Sequence, residues 1–155
     1  MKIRLVVVIV AFIFIFGMLP AQDKPVPDKK PVPGKMMKKS MDDDEDHLGI
    51  LWTSADPDVA KKMVFLYTYN AKKQGWFKKV RLIIWGPSTK LLSQDKELQD
   101  WIGKMKEVGV ELAACKWCAD QYGVSEMLET LGVEVIYYGK PLTKMLKNDW
   151  EVLTF

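Results

Sequence analysis

The sequence holds two thiols, Cys115 and Cys118, in the stretch ELAACKWCADQYG that runs from Glu111 to Gly123. Cysteines at C-x-x-C spacing support four outcomes. They exchange with disulfides as a redox couple, supply half of a tetrahedral metal site, carry sulfane sulfur on one thiolate, or fill buried space as small apolar residues. A zinc site needs four ligands, and no second C-x-x-C or H-x-H stands in the sequence; no metal and no cofactor is expected. The pair encloses Lys116 and Trp117, without the Gly-Pro of thioredoxin-like couples and without a tryptophan ahead of Cys115. A Cys–His nucleophile is disfavoured, because the one histidine, His47, falls in the polar segment ahead of the globular part. Phosphate and serine-nucleophile loops are missing too: there is no G-x-G-x-x-G, no G-x-x-x-x-G-K-[ST] and no G-x-S-x-G.

The elements that must position the thiols are legible from Leu48 onward. The run LGILWTS reads as a first strand, and Asp56 with Pro57 reads as an N-cap and first helical residue. Apolar residues from Val59 to Ala71 recur at helical spacing. KVRLIIWG, Lys79–Gly86, is a strand whose continuous apolar run predicts burial on both faces and hence a parallel sheet. Ser93 is the expected cap of the next helix, which carries Leu98, Trp101, Ile102, Met105 and Val108 and stops at Gly109. VELAAC, VEVIYYG and WEVLTF are the third, fourth and fifth strands. Ser125 is the expected cap of a helix closed by Gly132, and KPLTKMLKND forms a short helix with Pro141 in its first turn. Strands alternating with helices predict an α/β fold: an open five-stranded, mostly parallel sheet with helices on both faces.

In such sheets chemistry gathers outside the carboxyl ends of the strands. Cys115 ends the third strand, and a helix is expected to begin near Trp117–Ala119. A thiol there meets unpaired N–H groups and a partial positive charge, both of which favour thiolate. The candidate site is therefore Cys115 and Cys118 as the reacting thiols. Thr53, Ser54, Lys116, Trp117 and Lys140, from neighbouring strand ends and the helix start, are the candidate substrate-binding residues. Trp117 either caps the pocket or packs at a subunit interface. Trp52, Trp85 and Trp101 sit within core patterns and read as packing.

The N-terminal part has a different character. MKIR followed by fifteen apolar residues, Leu5–Leu19, reads as a signal peptide over residues 1–21, or else as an uncleaved membrane anchor. Residues 22–47 hold a repeated K-P-V-P element, a lysine cluster and an acidic run, Asp42–Asp46, and read as a disordered tether. The globular domain then spans 48–155. Either reading of the first segment exports it, to the periplasm or the medium, with membrane contact only through an uncleaved anchor. Removing Lys2 and Arg4 from 23 basic residues leaves 21 against 20 acidic ones, a balance with no electrostatic footprint for nucleic acid.

From LGILWTS through GVELAACKWCADQYGV and LETLGVEVIYYG to WEVLTF, Leu48–Phe155, the sequence resembles the DsrE/DsrF-like (YchN-like) family. The most specific piece is GVELAACKWCADQYGV: strand, cysteine at its end, short helix, glycine. The resemblance implies a five-stranded α/β fold, assembly as a homo-oligomeric trimer or hexamer, and persulfide sulfur carried on a cysteine at this strand-to-helix turn. Carried over, that cysteine is Cys115. Cys118 has no universal counterpart in the family and becomes a resolving or auxiliary thiol. The implied activity is sulfurtransferase-like, and the implied partner is a sulfur donor or acceptor protein or a small thiol. The alternatives are a non-enzymatic oligomeric binding module and a C-x-x-C thiol–disulfide protein.

Overall fold

The apolar runs are strands, and every pairing between them is parallel. The computed structural model describes residues 46–155; the expected signal segment, and the tether as far as Glu45, lie outside the described residues. Strands β1 (His47–Trp52), β2 (Lys79–Ile84), β3 (Glu111–Cys115), β4 (Glu134–Ile136) and β5 (Trp150–Thr154) form one sheet in the order β4-β3-β2-β1-β5. The expectation of a mostly parallel sheet becomes a fully parallel one.

This order dictates where the helices go. The chain steps one strand at a time from β1 to β4 and then returns past three strands to lay β5 beside β1. Right-handed crossovers put helices for the forward steps on one face and the helix of the return step on the other. The forward helices are α1 (Pro57–Val59), a π-helical stretch Ala60–Phe65, α2 (Leu66–Lys73), α3 (Pro87–Gln94), α4 (Lys96–Glu107), α5 (Lys116–Tyr122) and α6 (Ser125–Thr130). The return helix is α7 (Gly139–Lys147).

Two separate cores result. Even-numbered positions of the first two strands, Leu48, Ile50 and Trp52 with Val80, Leu82 and Ile84, join Leu112 and Ala114 in a large core. Phe65, Leu92, Leu98, Ile102, Met105 and Leu128 fill it from the helices. The opposite face packs a smaller cluster: Ile83, Ala113, Cys115, Cys118, Tyr138 and Met145. Gly49 lets α7 approach that face, since a Cβ there would stand 2.7 Å from Met145 Cε.

Local chemistry explains most boundaries and corrects three expectations. Asp56 caps α1 as expected, its Oδ1 accepting from the N–H groups of Asp58 (2.8 Å) and Val59 (3.2 Å), with Pro57 first in the helix. Ser93 is not the next cap. Pro87, directly after the left-handed Gly86 (φ 69°), starts the unanticipated helix α3, and Ser93 lies inside it, its hydroxyl donating to the Lys90 carbonyl. Asp95 caps α4 instead, accepting from Leu98 N–H at 3.1 Å; a carboxylate accepts more strongly than a hydroxyl. Ser125 is the first residue of α6 rather than its cap, and its hydroxyl donates to Asp120 at 2.6 Å. Finally, β1 opens at His47, where pairing with Lys79 and Trp150 sets the boundary rather than composition.

Candidate thiol site at the end of the third strand

Cys115 closes β3 and stands as the N-cap of α5, in extended conformation (φ −69°, ψ 109°). The helix starts at Lys116, one residue ahead of the expected position, and ends at the left-handed Gly123 (φ 66°). Cys118 is the third helical residue. Pleating sends Glu111, Ala113 and Cys115 to the same side of β3, the side that α7 covers. Helix α5 sits at the rim between the cores: Ala119 packs into the large one and Cys118 into the small one.

Both thiols are free and nearly closed off, each 5% exposed. Ile83, Ala113, Tyr138 and Met145 pack with them, and Trp85, Ile136 and Leu142 pack against the cluster. The two thiols lie side by side in this one buried cluster. Burial pushes the Cys118 thiol up from its ordinary value, the contact with Cys115 adds to this, and the backbone N–H of Gly86 pulls the other way. Cys118 therefore rests as a protonated thiol at neutral pH.

The remaining expected residues are not gathered around the pair. Lys116 is held by Asp120 at 2.9 and 3.0 Å, a bond that raises its pKa. Asp120 also accepts from Ser125, which with Lys116 lowers its own. Trp117 points outward, 62% exposed. Thr53 and Ser54 lie two strands from Cys115 and tie down the chain end. Thr53 donates to the Phe155 carbonyl through both Oγ1 and its backbone N–H (2.7 Å each), and Ser54 N–H reaches the same oxygen at 3.3 Å. Lys140 lies in the first turn of α7 and lines a groove with Thr143, Lys144, Lys147 and Asn148. Trp52 is fully buried, as its pattern predicts, while Trp85 and Trp101 are half-buried at the margins of the two cores.

Sequence reasoning did not single out the residues that hold this face together. Arg81 donates to Glu111 through Nε (2.6 Å) and through Nη2, and to the Tyr138 hydroxyl through Nη1 at 3.0 Å. Tyr138 in turn donates weakly to Met145 Sδ at 3.8 Å, and Lys79 pairs with Glu111 at 3.1 Å. Burial works to raise the Glu111 pKa, but the Arg81 and Lys79 cations outweigh it and hold the carboxyl below its usual range. Burial raises that of Tyr138. Alternation was the available signal: Arg81, Ile83 and Trp85 share a face with Glu111, Ala113 and Cys115.

His47 lies at the amino end of the sheet, its ring 4.8 Å from that of Trp150, a strand length from the thiols. Among the described residues no three His, Cys, Asp or Glu side chains are grouped to hold a metal ion. No helix among them is long and apolar enough to cross a membrane.

A five-stranded parallel α/β domain with a cysteine at the third strand-to-helix turn defines a recognisable class. The model of the DsrE/DsrF-like family matches residues 47–155, and the chain belongs to that family, which is linked to sulfur relay. A solved protein of unknown function from Bacteroides thetaiotaomicron, BT1422, is 38% identical, with a TM-score of 0.69 over 71% of this chain and 95% of that one. The YchN protein of E. coli shares the fold, with a TM-score of 0.56 at 20% identity over 71% of this chain and 99% of that one. A comparison with curated proteins gives no match.

Proposed function

We propose that the domain takes up sulfane sulfur on Cys115 and that Cys118 resolves it. The observation that carries this reading is that both thiols sit in one buried cluster at the carboxyl end of β3, in a chain of a family linked to sulfur relay. The chemistry balances without a cofactor. The Cys115 thiolate attacks the outer sulfur of a donor persulfide, the donor's S–S bond breaks, and the donor leaves as a thiolate. Cys118, once deprotonated, attacks Cys115 Sγ; a Cys115–Cys118 disulfide forms and hydrosulfide leaves. A dithiol reductant returns the pair to its starting state. With each thiol 5% exposed, the donor that fits is a small-molecule persulfide, or a partner protein that displaces part of the cover.

Wild-type protein treated with cysteine persulfide is expected to release sulfide and form one internal disulfide. Cys118→Ser keeps the sulfur and releases none. Equal sulfide release from the Cys118→Ser and wild-type chains overturns the resolving role. A thiol–disulfide couple is the second reading, favoured by the same placement of both thiols in one cluster. A protein that cycles with a dithiol reductant yet takes no sulfur from the donor supports it.

The basic start and apolar run of residues 1–21, followed by the polar segment to residue 47, support export of this domain to the periplasm or the medium. Assembly with further copies is supported by an apolar groove of about 590 Å³ beside the edge strand β5. Exposed Met63, Leu66, Trp76 and Leu153 line it.

A further inference from the structure

Helix α7 carries Lys140, Lys144 and Lys147 and no acidic residue from Gly139 to Lys147. Several other helical lysines are matched by acids. Lys62 pairs with Asp58, Lys96 with Asp100 and Lys116 with Asp120, each one turn apart, and Lys61 pairs with Asp95 and Glu97. The α7 lysines have no ion pair among the described residues. Helix stability does not account for them. Cations in the last turn, Lys144 and Lys147, favour a helix, but Lys140 sits in the first turn, where the helix dipole disfavours it.

The stripe lines two grooves. One, of about 660 Å³, runs along α7 between Lys140 and Asn148. The other, of about 220 Å³, lies between α7 and the sheet and adds Lys79, Arg81 and Trp150. Lys144 and Asn148 belong to both, so the grooves form one basic surface. Glu111 offsets Lys79 and Arg81 but reaches none of the α7 lysines.

We infer that this surface docks an acidic peptide segment of a partner protein, and that the partner is the one exchanging sulfur with the thiol pair. The second half rests on the function proposed above; the first does not. Lys147 stands seven positions after Lys140, a rise of roughly 10 Å along a helix. An extended peptide covers that in about three residues, so a short carboxylate run meets the stripe along its length. A compact anion would meet the stripe at one end only. The stripe also points at the thiols. Tyr138, directly ahead of α7, and Leu142, in its early part, pack with the Cys115 and Cys118 cluster. A segment lying on α7 therefore has one end beside the cover of the pair.

The test is fluorescence anisotropy with a labelled hexaglutamate peptide and the full chain. Binding is expected, weakened at least ~10-fold by 0.5 M salt and by the double variant Lys144→Glu/Lys147→Glu. Lys140→Gln gives a smaller loss, and circular dichroism checks that each variant is folded. Lys96→Glu, on α4, changes affinity less than about twofold. Cys115→Ser binds the peptide like wild type, so a failure of the sulfur chemistry and a failure of docking read out separately. No binding to wild type overturns the proposal, as does equal loss in Lys96→Glu. Tighter binding of hexathymidylate overturns it in favour of nucleic acid. A ~10-fold gain on neutralising Asp42–Asp46 overturns it in favour of the chain's own acidic run.

Discussion

The two faces of one sheet are built to different standards. The face covered by α1 to α6 seals Leu48, Ile50, Trp52, Leu82, Ile84 and their helical partners almost completely. The face covered by α7 has a single helix with one buried residue, Met145, and its Arg81–Glu111 pair is partly exposed. The first face makes the fold. The second carries the thiols, the Arg81–Glu111–Tyr138 network and the lysines of α7, which have no ion pair among the described residues. Chemistry needs surface that can open, and the thick face has none to spare.

The largest difference should appear in stability. Phe65→Ala on the thick face is expected to cost about 3–5 kcal/mol, and Met145→Ala on the thin one about 2 kcal/mol, by urea denaturation. Equal losses would break the comparison. Next comes Gly49→Ala. The new methyl meets the flexible end of Met145, so the loss is about 1 kcal/mol. Native Cys115 should then alkylate several-fold faster than in wild type. An unchanged rate would mean that α7 is not part of the cover.

Glu111 gives a pH-dependent test of the same face. Its folded pKa is depressed, so its contribution is present above the unfolded value and is lost as pH falls through the depressed one. Below an ordinary carboxylate pKa of ~4.3, the urea midpoint of Glu111→Gln should therefore fall less with acid than that of wild type. Parallel curves would show that the network adds nothing. The smallest effect belongs to the rim: Lys116→Ala should leave the urea midpoint unchanged, because an exposed one-turn pair adds little.

The strands and the glycine stops at Gly109 and Gly132 were legible because each rests on local chemistry: an apolar run, or a backbone position with positive φ. Helix α3 was not, because Gly86-Pro87-Ser88 reads as a turn and serves as a helix start. Cys115 and Cys118 were legible as a pair at a strand end. Their burial stood as one reading among four, because it depends on α7, which arrives from another part of the chain. The same limit applies to Thr53 and Ser54. Topology puts them at the right edge of the sheet, but β5 ends there and Phe155 takes up their hydrogen bonds.

The account turns on Cys115 accepting sulfur and Cys118 removing it, and intact mass after exposure to a small persulfide donor tests this directly. The Cys118→Ser chain should gain one sulfur, ~32 Da, that reductant removes, and Cys115→Ser should gain none. Wild type should instead lose ~2 Da as the internal disulfide forms. Addition of sulfur to the Cys115→Ser chain, or none to the Cys118→Ser chain, would contradict it.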